Sequence, residues 1–569
     1  MADIDLLLLH PPSVYDFRKR AILYGPVSDL IPSSTVFEMY PLGFLTMASY
    51  LQAHGLKVRI VNLALRMMKS DHFDVTRFLA KLKPTVIGID LHWLPHCHGA
   101  LEIARIAKQV HPNVPVLMGG LSSTYYHEEL ITYPDVDYVL RGDSTEAPLH
   151  QLLLTLRSGG ALAAIPNLTW KQDGKTHINP LSYIPDTLDN TDLRPDRMVE
   201  MAIRYRDTKS IMPFDGWTKN PITVVFSVKG CSYECVTCGS SQTACLHVTK
   251  RKKPVFRSPS SMIKNMQDIS RLTYAPIFIV GDLLQAGPDY ARAILGELRD
   301  AKINNEIVFE FFTVPPLWFL EEIAASVRHW SIEFSPESHD QAVREAQGGE
   351  GEYDNATMEA MFTEALRLGC SRLDIFFMIG LPTQTHASVM ASIDYCEHLF
   401  SLGDPRLSCF ISPMGPFIDP GSRGFEEPER FGYVLFAHTL EEHRQLLLQP
   451  SWEQILNYET IWMTRAELVD ATYDAGDRLN ALKMTYGRIS RRRGMRVAQR
   501  LREARDLRAR LDQEIGQTGT SATREALEGE IARFSTSTIC DKRELFWPTH
   551  LLNFKITEIL RIAWRVIRH

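Results

Sequence analysis

The stretch "VVFSVKGCSYECVTCGSSQTAC", Val224 to Cys245, decides the reading of this chain: it gathers four of the nine cysteines into fifteen positions directly after an apolar run. Three of them, Cys231, Cys235 and Cys238, follow a Cys-x3-Cys-x2-Cys spacing bracketed by Gly230 and Gly239. Such a loop wraps compactly around one inorganic centre. Structural zinc wants four closed ligands, commonly two separated pairs, and only Cys245 or His247 lies near enough to supply the fourth. An iron–sulfur cube is also held by thiolates, and three of them leave one iron open. The spacing favours the cube.

Working outward, Pro221 begins an alternating series. "ITVVFSVKG", "APIFIVGD", "EIVFEFFT", "HWSIEFSPES" and "CSRLDIFFMIGLP" read as strands, separated by helical segments such as "PDYARAILGELRDAK". The series predicts a β/α array over 221–405, closed or partly closed into a barrel. From residue 1 to 160, fully apolar runs ("IDLLLLH", "KVRIVNL", "TVIGIDLHW", "VPVLMGG") alternate with amphipathic stretches, the pattern of a Rossmann-like, doubly wound parallel sheet covered on both faces. Such sheets bind ligands beyond the carboxyl ends of their strands, where Pro12, His92, Gly119 and Gly120 fall. Residues 161–220 read as a linker with a hairpin at Asp173-Gly174. Residues 406–569 read as mainly helical, so the whole is α/β with a helical C-terminal region.

Two features of that last region point in two directions. The Arg-rich helix from Arg491 is expected to be a solvated face braced by ion pairs, the alternative being a basic face for a membrane or an acidic partner. The closing segment puts Leu552, Ile556, Ile559, Ala563 and Ile567 on one side and Lys555, Arg561, Arg565 and Arg568 elsewhere. That fits either a basic interfacial helix, giving peripheral membrane contact through 551–569, or a helix docked on the protein's own core.

Composition bounds the rest. With 569 residues the chain exceeds one core, and with 45% hydrophobic and 23% charged residues it has the make-up of a soluble protein. No run approaches the length of a membrane span, and the N-terminal apolar run is broken by Pro11 and Pro12, against a signal peptide. An odd number of largely scattered cysteines predicts a reducing, cytoplasmic setting, and a net charge of -6 gives no pull toward nucleic acid.

At the cysteine loop the residues carry a resemblance. "CSYECVTC" is similar to the cluster loop of the radical S-adenosylmethionine (radical SAM) enzymes; "EFSPES", "FFMIGLPTQT" and "RSPSSMIKNM" resemble that family's Glu-Ser strand, Gly-Leu-Pro turn and Arg-Ser-Pro helix start. "YPLGFLTMASYLQAHGLKVRIVNL" and "VLMGGLSSTYYHEELITYPDVDYVLRGDSTEAPLHQLL" look like the first domain of its cobalamin-binding, class B methyltransferase-like subgroup. The chain departs from the family in Thr237, where an aromatic residue usually precedes the third cysteine, and in "VGD", Val280 to Asp282, where the family has Gly-Gly-Glu.

The resemblance implies a partial (β/α)6 barrel in which Cys231, Cys235 and Cys238 ligate a [4Fe–4S] cluster and Asp282, Ser335, Glu337 and Gly380 line the site of S-adenosylmethionine (SAM). It implies cobalamin held by Pro12, His92, Gly119, Gly120, Ser122 and Thr124; "DLHWLP" has Pro95 where a histidine-ligating loop needs glycine. For the Gly pair a plain tight turn is the alternative. The implied reaction is methylation of an unactivated carbon through methylcobalamin and a 5′-deoxyadenosyl radical, with no protein catalytic group required and a flavodoxin or ferredoxin as reductant. The alternatives are a non-methylating radical SAM reaction (C–C coupling, ring formation or dehydrogenation) and a zinc-stabilised binding protein. Aromatic-rich segments at 412–433 and 450–465 either close the barrel over an apolar substrate or simply pack as a helical cap. With the C-terminal helix, they lean the substrate toward a lipid or isoprenoid.

Overall fold

A computed structural model describes residues 4–26, 34–189, 191–349, 352–516, 521–534, 539–548 and 553–568. The first apolar runs form β1 (Ile4–His10), β2 (Val58–Asn62), β3 (Pro84–Asp90), β4 (Val116–Gly119) and β5 (Tyr138–Leu140), all parallel in the order β2-β1-β3-β4-β5. Their side chains are buried on both faces because helices such as Gly43–Ala53 and Cys97–Val110 cover the two sides. The strand order reverses between β1 and β3, so the crevice opens beyond His10 and Asp90.

The segment expected as a linker is partly sheet. Its hairpin, β6 (Leu168–Gln172) and β7 (Lys175–Ile178), continues the first sheet by antiparallel pairing of β6 on β5, giving seven strands. The rest of that segment ties the two halves together: Asp192 accepts from the buried Arg257 guanidinium at 2.9 Å, and the Pro185 carbonyl accepts from Arg251 at 3.1 Å.

The second sheet contains six parallel strands in chain order: β8 (Thr223–Phe226), β11 (Ile277–Val280), β12 (Ile307–Phe311), β13 (Trp330–Glu337), β14 (Leu373–Ile379) and β15 (Leu407–Pro413). A short antiparallel pair, β9 (Val228–Lys229) and β10 (Val255–Phe256), follows β8. The outer strands β8 and β15 are not paired with each other, and β15 runs past the boundary expected at 405. Val225, Ile279, Phe309, Ile332, Ile375 and Ile411 bury one face under the crossover helices. On the other face, Trp547 packs edge-on against Phe278 (5.0 Å between ring centroids) and also touches Val308, while Leu545 and Cys540 cover Phe376 and Phe410. The C-terminal segment thus returns to fill part of the inner face.

The aromatic segments after β15 pack as a cap: Phe417, Phe425, Tyr433, Trp452 and Tyr458 are buried. The Arg-rich helix Arg491–Gly516 lies on helix Arg465–Thr485, burying Val497, Leu501 and Ala504, with Arg505 and Arg508 paired to Asp474, Asp470 and Glu453. Among the described residues, no helix is long and apolar enough to cross a membrane.

Candidate cofactor site

The cysteine loop sits at the end of β8 and enters the helix Gln242–Thr249, capped by Ser241. Distant segments fix its backbone. Ser232 donates to Gln285 at 3.1 Å, Val236 N–H to the Gln347 carbonyl at 2.7 Å, and Gly239 N–H to Asp419 at 3.1 Å. The side-chain amide of Gln347 donates to Thr237 at 2.7 Å. Backbone N–H groups of Tyr233 and Ser240 point at the sulfurs of Cys231 and Cys238, at 3.4 and 3.3 Å.

The donor set fits a cluster. Desolvation pushes the half-buried Cys231 and Cys235 thiols up, with Glu337 adding to Cys235, and the Asp419 carboxylate contributes to a raised thiol at the more exposed Cys238. Thiolates here therefore need a strongly positive centre. Three thiol donors on one short loop, with no fourth thiol in the motif, are the donor set that holds three irons of a [4Fe–4S] cluster and leaves the fourth open.

Next to the loop lies a cavity of about 480 Å³ between the two sheets. His92, Gly119 and Gly120 line it from the switch point of the first sheet, and Phe226, Val228, Gly239 and Cys245 from the second. Gly120 has φ +117°, and a Cβ there would come within 2.4 Å of the His92 Cα, so only glycine fits this turn. Asp90 accepts from His10 at 2.9 Å and from His92 at 2.6 Å, both through Nδ1. Burial alone would raise the Asp90 carboxyl, but the two imidazoles hold it well below the usual range. The carboxylate thereby orients His92 and leaves its Nε2 for the cavity. His96 approaches the same pair closely enough for a metal ion, but both His10 nitrogens are committed, Nε2 to the Phe37 carbonyl at 3.0 Å.

The other sequence-read residues are placed differently. Thr124 braces the turn, accepting from Gly142 N–H at 2.9 Å and donating to the Gly120 carbonyl at 2.8 Å. Ser122 and Pro12 are buried outside the cavity lining, Pro12 against Gly99. Asp282 is fully buried, capping the turn at Leu284 N–H (2.9 Å) and facing the Tyr233 hydroxyl (3.2 Å). Gly380 is locked by Gln384 at its N–H (2.8 Å) and by the Tyr433 hydroxyl at its carbonyl (2.9 Å). Ser335 and Glu337 remain partly exposed near the end of β13, where burial lifts the Glu337 carboxyl to about 7.

Sequence reasoning missed Asp419, Gln285, Gln347 and Trp93. Asp419 also accepts from the Trp93 indole at 3.1 Å, so one carboxylate joins the cysteine loop, the switch-point turn and the cap. It also missed an acidic row on the inner face, Glu310, Glu333 and Asp374, which are cross-strand neighbours. Burial raises all three, to about 7 for Glu310 and about 6 for Asp374, the latter held down in part by Arg372 at 2.6 Å.

The glycine-lined cavity at the end of one parallel sheet thus faces a three-cysteine loop that follows the first strand of a second parallel β/α sheet. Residues 30–150 match the family model for the B12 binding domain. The uncharacterised methyltransferase PH0819 of Pyrococcus horikoshii is 27% identical over 410 residues, covering 70% of this chain and 79% of the relative. Cytidylyl-2-hydroxyethylphosphonate methyltransferase of Streptomyces wedmorensis is 25% identical over 182 residues, 28% of this chain and 33% of that protein. Two solved structures share the fold. The radical S-adenosylmethionine methyltransferase TsrM of Kitasatospora setae, with cobalamin and a [4Fe–4S] cluster bound, aligns at TM-score 0.57 and 14% identity over 84% of this chain and 88% of its own. The cobalamin-dependent S-adenosylmethionine radical enzyme OxsB aligns at TM-score 0.56 and 13% identity over 99% of this chain and 79% of its own. This chain therefore has the fold of the cobalamin-dependent radical SAM enzymes.

Proposed function

We propose that the protein is a cobalamin-dependent radical SAM methyltransferase acting on an unactivated carbon. The observation that carries this reading is the contact between the cysteine loop and the glycine-lined cavity of a B12-binding domain: Gly239 and Cys245 share its wall with His92 and Gly120. The methyltransferase name of the Pyrococcus relative and the cofactors of TsrM support it. Cys231, Cys235 and Cys238 would hold the [4Fe–4S] cluster, Ser335 and Glu337 would face SAM, and His92, Gly119 and Gly120 would face cobalamin. Bound, these groups supply a 5′-deoxyadenosyl radical and a transferable methyl group.

The chain's own part is to position and shield. Asp90 fixes the His92 ring, Asp419 locks the cysteine loop to the first domain, and the apolar cavity wall excludes water from a reactive intermediate. A flavodoxin or ferredoxin is the proposed electron source. The finer reading of the substrate is a lipid or isoprenoid. Buried cap aromatics give it no support, so it rests on the C-terminal helix described below.

Anaerobic purification from cobalamin-fed cells, with iron, sulfide and corrinoid measured on one sample, tests the reading. About four irons and near-stoichiometric corrinoid are expected, with S-adenosylhomocysteine accompanying 5′-deoxyadenosine during turnover; Cys235→Ala should lose the iron and all SAM cleavage. Four irons without corrinoid, and 5′-deoxyadenosine without S-adenosylhomocysteine, would overturn methyl transfer in favour of coupling, cyclisation or dehydrogenation.

A further inference from the structure

We propose that the helix Ile556–Arg568 is a docking surface for an anionic lipid bilayer. The helix is clamped to the protein by one side only. Ile562 is buried, Arg565 pairs with Glu200 and with Asp196 (3.6 Å) on the helix Pro195–Arg204, and Lys555 donates to the Ser270 carbonyl at 2.6 Å. Just before it, the Thr273 hydroxyl donates to the Asn553 carbonyl at 2.7 Å. These contacts fix the rotation of the helix, so its opposite side is presented in a defined direction.

That side is apolar. Ile556, Leu560, Trp564 and Ile567 are 53, 63, 59 and 76% exposed. At 3.6 residues per turn the four fall within an arc of about 80°. They form one stripe rather than scattered surface side chains, and a stripe of this kind marks a binding face. The periodicity groups Leu552, Ile556, Ile559, Ala563 and Ile567, with Trp564 among the apolar residues; Leu552 lies outside the described residues, and in the structure Ile562 is the packed position while Leu560 joins Trp564, Ile556 and Ile567 on the exposed stripe.

The charge beside the stripe selects the occupant. Arg561, 79% exposed, and Arg568, whose guanidinium lies 4.0 Å from the Trp564 ring centroid, flank it on one edge. The neighbouring acids are all paired: Asp196 with Arg194 at 2.7 Å, Glu200 with Arg197 at 2.6 Å and with Arg565, and Asp268, in the groove beside Arg561 and Trp564, with Arg271 at 2.9 Å, while Glu558 faces Arg561 at 3.6 Å. An apolar stripe with tryptophan on its edge and arginines beside it matches a bilayer surface: side chains enter the acyl boundary, the indole sits at headgroup level, and the guanidiniums meet lipid phosphates. This inference goes beyond the proposed cofactor chemistry and is tested separately from it; only the lipid reading of the substrate depends on it.

The test is co-sedimentation of the full-length, cluster-loaded protein with vesicles of phosphatidylcholine alone and of phosphatidylcholine mixed with phosphatidylglycerol. The wild type should pellet with the anionic vesicles and stay largely soluble with the neutral ones, and the binding should weaken with salt. The double variant Leu560→Glu, Trp564→Glu should bind about tenfold or more weakly, with unchanged thermal stability and iron content because both side chains are exposed. Arg561→Gln with Arg568→Gln should bring binding to anionic vesicles down to that for neutral ones. Wild-type protein left in the supernatant, or glutamate variants that still pellet, would overturn the proposal. So would a dimer in solution that these variants dissociate without any vesicle binding, since a second copy would then cover the stripe. Iron content and SAM cleavage, measured on the same samples, report on the cofactor chemistry independently.

Discussion

Asp419 stands 180 residues from Gly239, yet its carboxylate accepts from that backbone N–H and from the Trp93 indole. The proposed cluster ligands need this kind of support, because a loop of small residues has many conformations in which its sulfurs point apart. Asp419→Ala keeps every cysteine but frees the Gly239 end of the loop. Cluster retention should weaken by about 10- to 100-fold, read as iron per chain after desalting, with thermal stability little changed away from the site. Asp419→Asn, which keeps one acceptor, should fall between. Full iron occupancy in the alanine variant would show that the loop is held by its own turns. The contrast between Asp419 and Cys235 also marks what the sequence can express. The cysteines announce themselves through local spacing, whereas an aspartate contributing across 180 positions looks like any other loop acid.

The strands show the same division at the next scale. Apolar runs and their spacing were enough to predict two parallel sheets, because a strand buried on both faces must be apolar throughout. Pairing direction depends on partners, so the hairpin at 168–178 read as an isolated feature and is in fact an antiparallel extension on β5. Register is equally invisible, and it creates the acidic row: Glu310 opposes Glu333, which opposes Asp374. Burial, with Asp282 nearby and despite the Gly281 N–H, raises Glu310 from 4.5 to about 7. The folded protein therefore binds a proton between pH 4.5 and 7 that the unfolded chain has released, so stability falls as pH rises through this window and the full cost persists above it. Glu310→Gln should raise the stability of the cofactor-free protein by about 1–2 kcal/mol at pH 8, the lower end of what the shift implies because the side chain keeps some solvent contact. Urea unfolding should show the gain vanish near pH 4.5. A gain independent of pH would mean that the carboxyl is not raised.

Across the whole molecule, the C-terminal chain has two opposite relations to the rest, and two tryptophans report them. Trp547 is 3% exposed, wedged on Phe278 and Val308 with Arg372 over its ring at 4.4 Å; Trp564, seventeen positions later, is 59% exposed on the outward stripe. Both belong to a region that reads from sequence only as helical and aromatic, since periodicity reports an apolar face without saying what covers it. The structure makes the first a core residue of the second sheet. Arg372 reinforces this by donating to the Phe546 and Glu544 carbonyls at 2.9 and 2.6 Å, and Lys483 pairs with Glu544 at 2.8 Å. Trp547→Ala should therefore leave a cavity against β11 and β12 and cost about 3–5 kcal/mol, lowering the thermal midpoint of the cofactor-free protein by several degrees. Trp564→Ala, which removes only a surface contact with Arg568, should leave the midpoint within about a degree of wild type. A small effect of Trp547→Ala would mean that the 539–547 segment is a detachable cover over the inner face, and that the six strands are stable without it.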